Sequence, residues 1–106
     1  MAYIYQIGLE IGADQMSELK IGSSLERVLG YLRTLLPSQD GYITSRVMHS
    51  LENKAHVQVV VESVWQDWES FIEHRNSNLA EDKIMLEFQP HIERDELRQS
   101  TYVEVD

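Results

Sequence analysis

The stretch VQVVVESVW, residues 57–65, restricts the fold more than any other part of this sequence. Alternation assigns Val57, Val59, Val61 and Trp65 to one face of an extended strand, and Val60 and Val64 to the other. A strand with one solvated face reads apolar and polar in turn, so a strand apolar on both sides has to be covered twice. Helices of the same chain can cover one face. A large apolar face left bare is unusual in a soluble monomer, and the economical cover is the sheet of a second copy. The chain is therefore expected to form a homodimer, packed sheet to sheet.

The same period organises the N-terminus. Tyr3, Tyr5, Ile7, Leu9 and Ile11 share one parity and Gln6, Gly8 and Glu10 the other, which predicts a half-buried strand. Ser23 and Glu26 have the spacing of a capping box. Leu25, Val28, Leu29, Leu32, Leu35 and Leu36 follow at helical intervals, so a helix is predicted from Ser23 to the break at Pro37. Between strand and helix, GADQMSELKIG (residues 12–22) fits either a hairpin-like extension or a helical turn. Tyr42–Leu51 reads as a second strand, joined through ENKA to a third, His56–Trp65. Asp67 is placed to cap a second helix reaching Ser77, with Trp68, Phe71, Ile72 and Leu79 inward. A short helical segment from Glu81 turns Ile84, Met85 and Phe88 inward and stops at Pro90, before a final strand in RQSTYVEVD.

Right-handed crossovers turn this order into a four-stranded antiparallel sheet with helices on one face and the first and third strands central. The expected class is α+β, ferredoxin-like βαββαβ, as a single domain over residues 1–106.

Charge and composition remove several functions. Nine Lys plus Arg face eighteen Asp plus Glu, a formal charge of −9, so the positive footprint needed for nucleic acid or an anionic membrane is missing. No apolar run approaches the ~20 residues of a membrane span. The alternating start MAYIYQIGLEIG, with Glu10 inside it, does not read as a signal peptide. With no cysteine, disulfides and thiolate metal sites are absent, and a cytoplasmic location is expected. The glycines are dispersed rather than gathered into a phosphate loop, and no histidine spacing suggests a metal site.

The chemistry-bearing residues concentrate in SVWQDWESFIEHRNS, residues 63–77. Trp65 ends the third strand, either as a plug of the sheet–helix junction or as a pocket wall stacking on an aromatic ligand. Trp68 opens the second helix on its apolar stripe, which favours a core role. On a helical wheel Arg75 falls between Phe71 and Ile72. An arginine there has to be paired or reach an edge, so it either forms an ion pair with a sheet carboxylate such as Glu62 or anchors a bound anion. His74 flanks the same stripe, His91 flanks the last helical segment, and His49 and His56 lie on strands. Any of them can act as a base near neutral pH, and each can equally be a surface or capping residue. Glu81, Asp82, Glu93, Asp95 and Glu96 read as a solvated acidic rim.

The helix followed by PSQDGYITSRVMHSL, the Val-rich strand ending SVW, and then DWESFIEH together resemble the antibiotic biosynthesis monooxygenase (ABM) domain, over roughly Ile4 to Val105. Gly41–Tyr42 entering the second strand, Trp65 closing the third, and a helix opening just after it carry the resemblance. It implies a dimeric α/β barrel with a cavity between sheet and helices. Some members oxygenate phenolic or anthrone-like substrates with molecular oxygen and neither metal nor flavin; others degrade haem. The strand Asn of the polyketide-oxidising branch is replaced here by Val60 and Val61. Gln6 stands where the haem-degrading branch carries a first-strand Asn, and no His follows Trp65 or Trp68 at that branch's spacing.

The resulting expectation is a cofactor-independent monooxygenase acting on a small hydrophobic aromatic or quinone-like molecule. His74 would deprotonate the substrate, Arg75 would hold the anion, and Trp65, Trp68, His49 and His91 would line the pocket. The alternatives are a non-catalytic dimeric module that binds a small ligand, and a non-oxidative isomerase or cyclase using the same cavity.

Overall fold

Alternation across the first residues produces β1 (Tyr3–Gly12), with Tyr5, Ile7, Leu9 and Ile11 buried on one face. In this computed structural model, which describes residues 1–52, 55–89 and 91–105, the chain then turns and enters α1 (Glu18–Leu35). β2 (Tyr42–His49), β3 (His56–Trp65), α2 (Trp68–Ser77), α3 (Leu79–Phe88) and β4 (Arg98–Val103) follow. The strands lie in the order β2-β3-β1-β4, each neighbouring pair antiparallel. This is the four-stranded ferredoxin-like sheet expected from the sequence, with the first and third strands in the middle.

One face of the sheet carries the core. Val59, Val61 and Trp65 of β3 join Val28 and Leu32 of α1, Phe71 of α2, and Ile84 and Phe88 of α3 in a single buried cluster. Register fixes its two ends. Trp65 lies opposite Tyr3 on one side and Tyr42 on the other, whereas His56 lies opposite Gly12 at the far end.

The first helix begins earlier than the capping-box spacing suggests. Ser17 is the cap, its hydroxyl accepting from the Lys20 N–H at 3.2 Å, and Ser23 lies inside α1 with its hydroxyl on the Leu19 carbonyl. Burial of Ile21 and Met16 carries the apolar stripe upstream of Leu25, so packing favours the earlier start. The 12–22 segment is thus a tight turn followed by the first turn of α1. Gln15 closes the turn by accepting from the Gly12 N–H at 2.9 Å and donating to the His91 carbonyl at 3.0 Å. α3 also starts earlier, at Leu79, directly after Asn78, whose left-handed backbone (φ 57°) ends α2. Pro90, expected to stop α3, and residues 53–54 of the ENKA connector lie outside the described residues.

The outer face of the sheet is mixed. Val60 and Val64 are half-buried, and between them Glu62 is buried, receiving Arg46 Nε at 2.5 Å and Gln6 Nε2 at 2.8 Å. Among the described residues, no helix is long and apolar enough to cross a membrane.

Candidate functional site

Asp67 caps α2 by accepting from the Ser70 N–H at 2.9 Å, and this start sets the phase of the helix. Phe71 and His74, three residues apart, then share one face and point at the sheet. Trp65 waits there at the end of β3, fully buried, its indole N–H donating to Ser63 Oγ at 2.9 Å. The His74 ring lies on the indole with centroids 4.6 Å apart and planes at 25°. Tyr5 of β1 meets His74 edge-on at 5.8 Å, and meets Phe71 in the same manner.

His74 is 2% exposed, and neither of its ring nitrogens has a hydrogen-bond partner. Burial pushes its pKa down to about 4, so the imidazole is neutral at physiological pH. Beside it, the Tyr5 hydroxyl donates to Glu81 Oε1, and Gln99 Nε2 donates to the same oxygen at 2.8 Å. Glu81 is 3% exposed, and its Oε2 is unpartnered. The Tyr5 phenol is held well above its ordinary range, first by burial and then by the Glu81 carboxylate, with the Arg75 charge opposing. A buried acceptor without a donor costs about 1–3 kcal/mol, so this arrangement is destabilising on packing grounds alone. It is the kind of local conflict that functional sites retain.

Several expected placements are corrected. His74, expected on the flank of α2, is in the core, and Arg75, expected at the centre of the apolar face, is half-buried. Helical spacing alone centres the buried face on Phe71 and Ile72, whereas ring packing against Trp65 and Tyr5 rotates it onto Phe71 and His74. Arg75 does not pair with Glu62, which belongs to the outer face with Arg46 and Gln6. Trp68 is 51% exposed rather than core, resting on Tyr3 and Phe71 with centroid distances of 5.5 and 5.2 Å.

His49 is exposed opposite Val59, and His91 meets Gln15 at the turn after β1. Both sit toward the end of the sheet remote from Trp65, so they do not converge with His74. A cleft of about 350 Å³ lies along α2 between Ser38, Asp40, Ser70 and Glu73, and one of about 310 Å³ lies between Met16, Ile21, Leu51 and Val57. Neither is lined by Trp65, His74 or Arg75.

Tyr5, Glu81 and Gln99 escaped the sequence reading. Glu81 was assigned to a solvated acidic rim, yet it is buried, while Asp82, Glu93, Asp95 and Glu96 are exposed. Its signal is legible once α3 is started at Leu79, because Glu81, Ile84 and Phe88 then fall on one helical face.

No protein-family model matches the chain, and no curated protein matches it. Solved structures do. A candidate antibiotic biosynthesis monooxygenase from Deinococcus radiodurans superposes with a TM-score of 0.65 at 14% identity, covering 98% of this chain and 93% of the other. SnoaB, a cofactor-independent oxygenase from Streptomyces nogalater, gives 0.58 at 10% identity over 99% and 93%. The chain has the antibiotic biosynthesis monooxygenase fold. A de novo designed protein, Foldit4, gives 0.65 at 15% identity over 99% and 100%, so the ABM fold by itself does not carry an activity.

Proposed function

We propose that this protein is a cofactor-independent monooxygenase of the ABM type that acts on a small hydrophobic aromatic or quinone-like substrate in the layer between sheet and helices. The observation that supports it most is His74: buried, neutral, stacked on Trp65, and with both ring nitrogens free to meet a substrate hydroxyl. A neutral imidazole can accept a proton from an acidic phenol or an anthrone methylene, and the substrate anion formed beside it offsets the burial that otherwise weakens it as a base. Removing that proton matters because molecular oxygen reacts far faster with an electron-rich anion. For an anthrone-like substrate the methylene becomes a carbonyl. One oxygen atom enters the carbonyl, the other leaves as water with the two methylene hydrogens, and the substrate supplies all four electrons. Arg75, whose charge already reaches Tyr5, stabilises the anion, and Trp65 forms the flat wall of the site.

The working unit is a homodimer in the cytoplasm, joined through the outer sheet faces around Val60 and Val64. In such a pairing the Glu62–Arg46 ion pair is sealed in the interface. Sedimentation velocity of the native protein and of a Val60→Glu variant tests this: dimer for the first, monomer for the second. A native monomer at working concentration contradicts the arrangement.

A second reading has one observation in its favour. Trp65 and His74 stack on each other, and neither lines the 350 Å³ or the 310 Å³ cleft. This suits a dimeric ligand-binding module, or an isomerase or cyclase that closes fully on its substrate. Oxygen consumption by metal-free protein, offered anthrones, hydroquinones and catechols, separates the classes. Uptake above the uncatalysed rate supports the oxygenase, and product formation without uptake supports the isomerase or cyclase. Binding with neither leaves the module.

A further inference from the structure

The end of the sheet remote from Trp65 carries the cleft of about 310 Å³ where β1 turns into α1. Its floor is apolar. Met16 and Ile21 are 6% and 2% exposed and Val57 is half-buried, and all three line the cleft. Two rims are tied down. The Ala13 N–H donates to the Ala55 carbonyl at 2.8 Å, and Ser50 both donates to the Gln58 carbonyl and accepts from the Gln58 N–H at 2.9 Å. Leu51 is the free wall, lining the cleft while 80% exposed. Leu19, 82% exposed, lines a neighbouring opening that shares Glu18 with the cleft. The two most exposed leucines of the described chain therefore flank one carboxylate.

An exposed leucine over an apolar floor gains by closing on a ligand, because wall and floor then leave water together. Glu18 sets the charge of that ligand. It is exposed in the first turn of α1, and its carboxylate makes no ion pair or hydrogen bond among the described residues. No described residue lining the cleft is basic, and the chain carries a formal charge of −9. The positive end of α1 opposes a cation with roughly half a charge spread over its first turn, less than the full charge of Glu18. None of the lining side chains is aromatic, so nothing there selects a flat ring. We propose that this cleft binds a straight-chain aliphatic amine as its ammonium ion. The chain lies on Met16, Ile21 and Val57 beneath Leu51, and the head group donates to the Glu18 carboxylate. At about 310 Å³ the cleft is at the small end of ligand pockets, which suits a short chain. It lies at the opposite end of the sheet from Trp65 and does not depend on the chemistry proposed at His74. Val57 shares the parity of Val59 and Val61, so pairing of two copies through Val60 and Val64 leaves it open.

The test titrates hexylammonium into the full chain while the methionine methyl signals are followed by NMR. Hexanol supplies the same tail without charge, hexanoate the same tail with the opposite charge, and methylammonium the head alone. For so small a probe the affinity is expected to be on the order of millimolar. Hexylammonium should move the Met16 methyl, assigned with Met16→Leu, along a saturable curve, while those of Met48 and Met85 stay in place. It should bind at least about threefold more tightly than hexanol, and Glu18→Gln should remove that advantage, weakening it about three- to fivefold, the range for an ion pair open to water. Leu51→Ala should weaken hexylammonium and hexanol alike, by about threefold. Both substituted side chains are exposed, so the variants should keep the native circular dichroism spectrum. A response that does not saturate, a Met16 signal that does not move, or an affinity unchanged in Glu18→Gln overturns the proposal. Tighter binding of hexanoate also overturns it and assigns the cleft to an anion at the start of α1. Methylammonium binding as well as hexylammonium overturns it too, because the apolar floor would then take no part.

Discussion

His74 lies flat on Trp65, ring centroids 4.6 Å apart, and makes no hydrogen bond from either nitrogen. A phenyl ring at the same position would keep the stacking and remove two unsatisfied polar atoms. His74→Phe is therefore expected to leave stability unchanged or raise it by about 1–2 kcal/mol, while removing oxygenase activity. Urea denaturation read beside oxygen uptake checks both halves. A destabilised His74→Phe protein contradicts the view that the nitrogens go unpaired.

The same residue sets a pH dependence. Its folded pKa of about 4 lies below the ordinary value of 6.5, so the unfolded chain binds the proton first. The contribution of neutral His74 to stability is complete above about pH 6.5 and is lost as pH falls toward about 4, a change of roughly 3 kcal/mol. Tyr5 and Trp65 pack against the ring, and burial among them is the cause of the shift. The His74→Phe protein should show a flatter profile of denaturation midpoint against pH over this window. Parallel profiles would assign the acid sensitivity to other groups.

The two tryptophans should report different surroundings. With Trp65 buried and Trp68 half in solvent, Trp68→Phe leaves a blue-shifted emission that acrylamide quenches weakly. Trp65→Phe leaves a red-shifted emission that it quenches readily. Truncation separates them further: Trp65→Ala is expected to cost about 3–5 kcal/mol, as large buried aromatics do, and Trp68→Ala distinctly less. Equal costs would mean that Trp68 is core after all.

Gly41 tests the junction between β2 and α2. Its φ is +77°, and an added Cβ would lie 2.5 Å from Ser70 Cβ, at the helix start that aims His74. Gly41→Ala should destabilise by more than about 1 kcal/mol, with Ser70→Gly in the same chain recovering part of the loss. No loss on thermal unfolding would contradict this contact.

The sheet was legible because its signals are local. Parity in residues 3–11 and 57–65 sets which side chains face the helices, and the crossover rule orders the strands. Helix starts were less legible, because Ser23–Glu26 offers a capping-box spacing that burial of Ile21 and Met16 overrides. The site was half legible. The stretch containing Trp65, His74 and Arg75 could be picked out, but the rotation of α2 depends on ring packing against Tyr5, a residue remote in sequence. Glu81 was hidden for a related reason: it shares a helical face with Ile84 and Phe88, but the Tyr5 and Gln99 partners that hold it there come from other parts of the chain.

The most direct measurement is the nitrogen-15 NMR spectrum of the His74 imidazole, assigned by comparison with His74→Phe, before and after adding a hydroquinone or anthrone. The account predicts a neutral ring at about pH 7 whose nitrogen shifts move on ligand addition, while those of His49 and His91 stay in place. A His74 signal that is already protonated, or that ignores every aromatic ligand while another histidine responds, would contradict it.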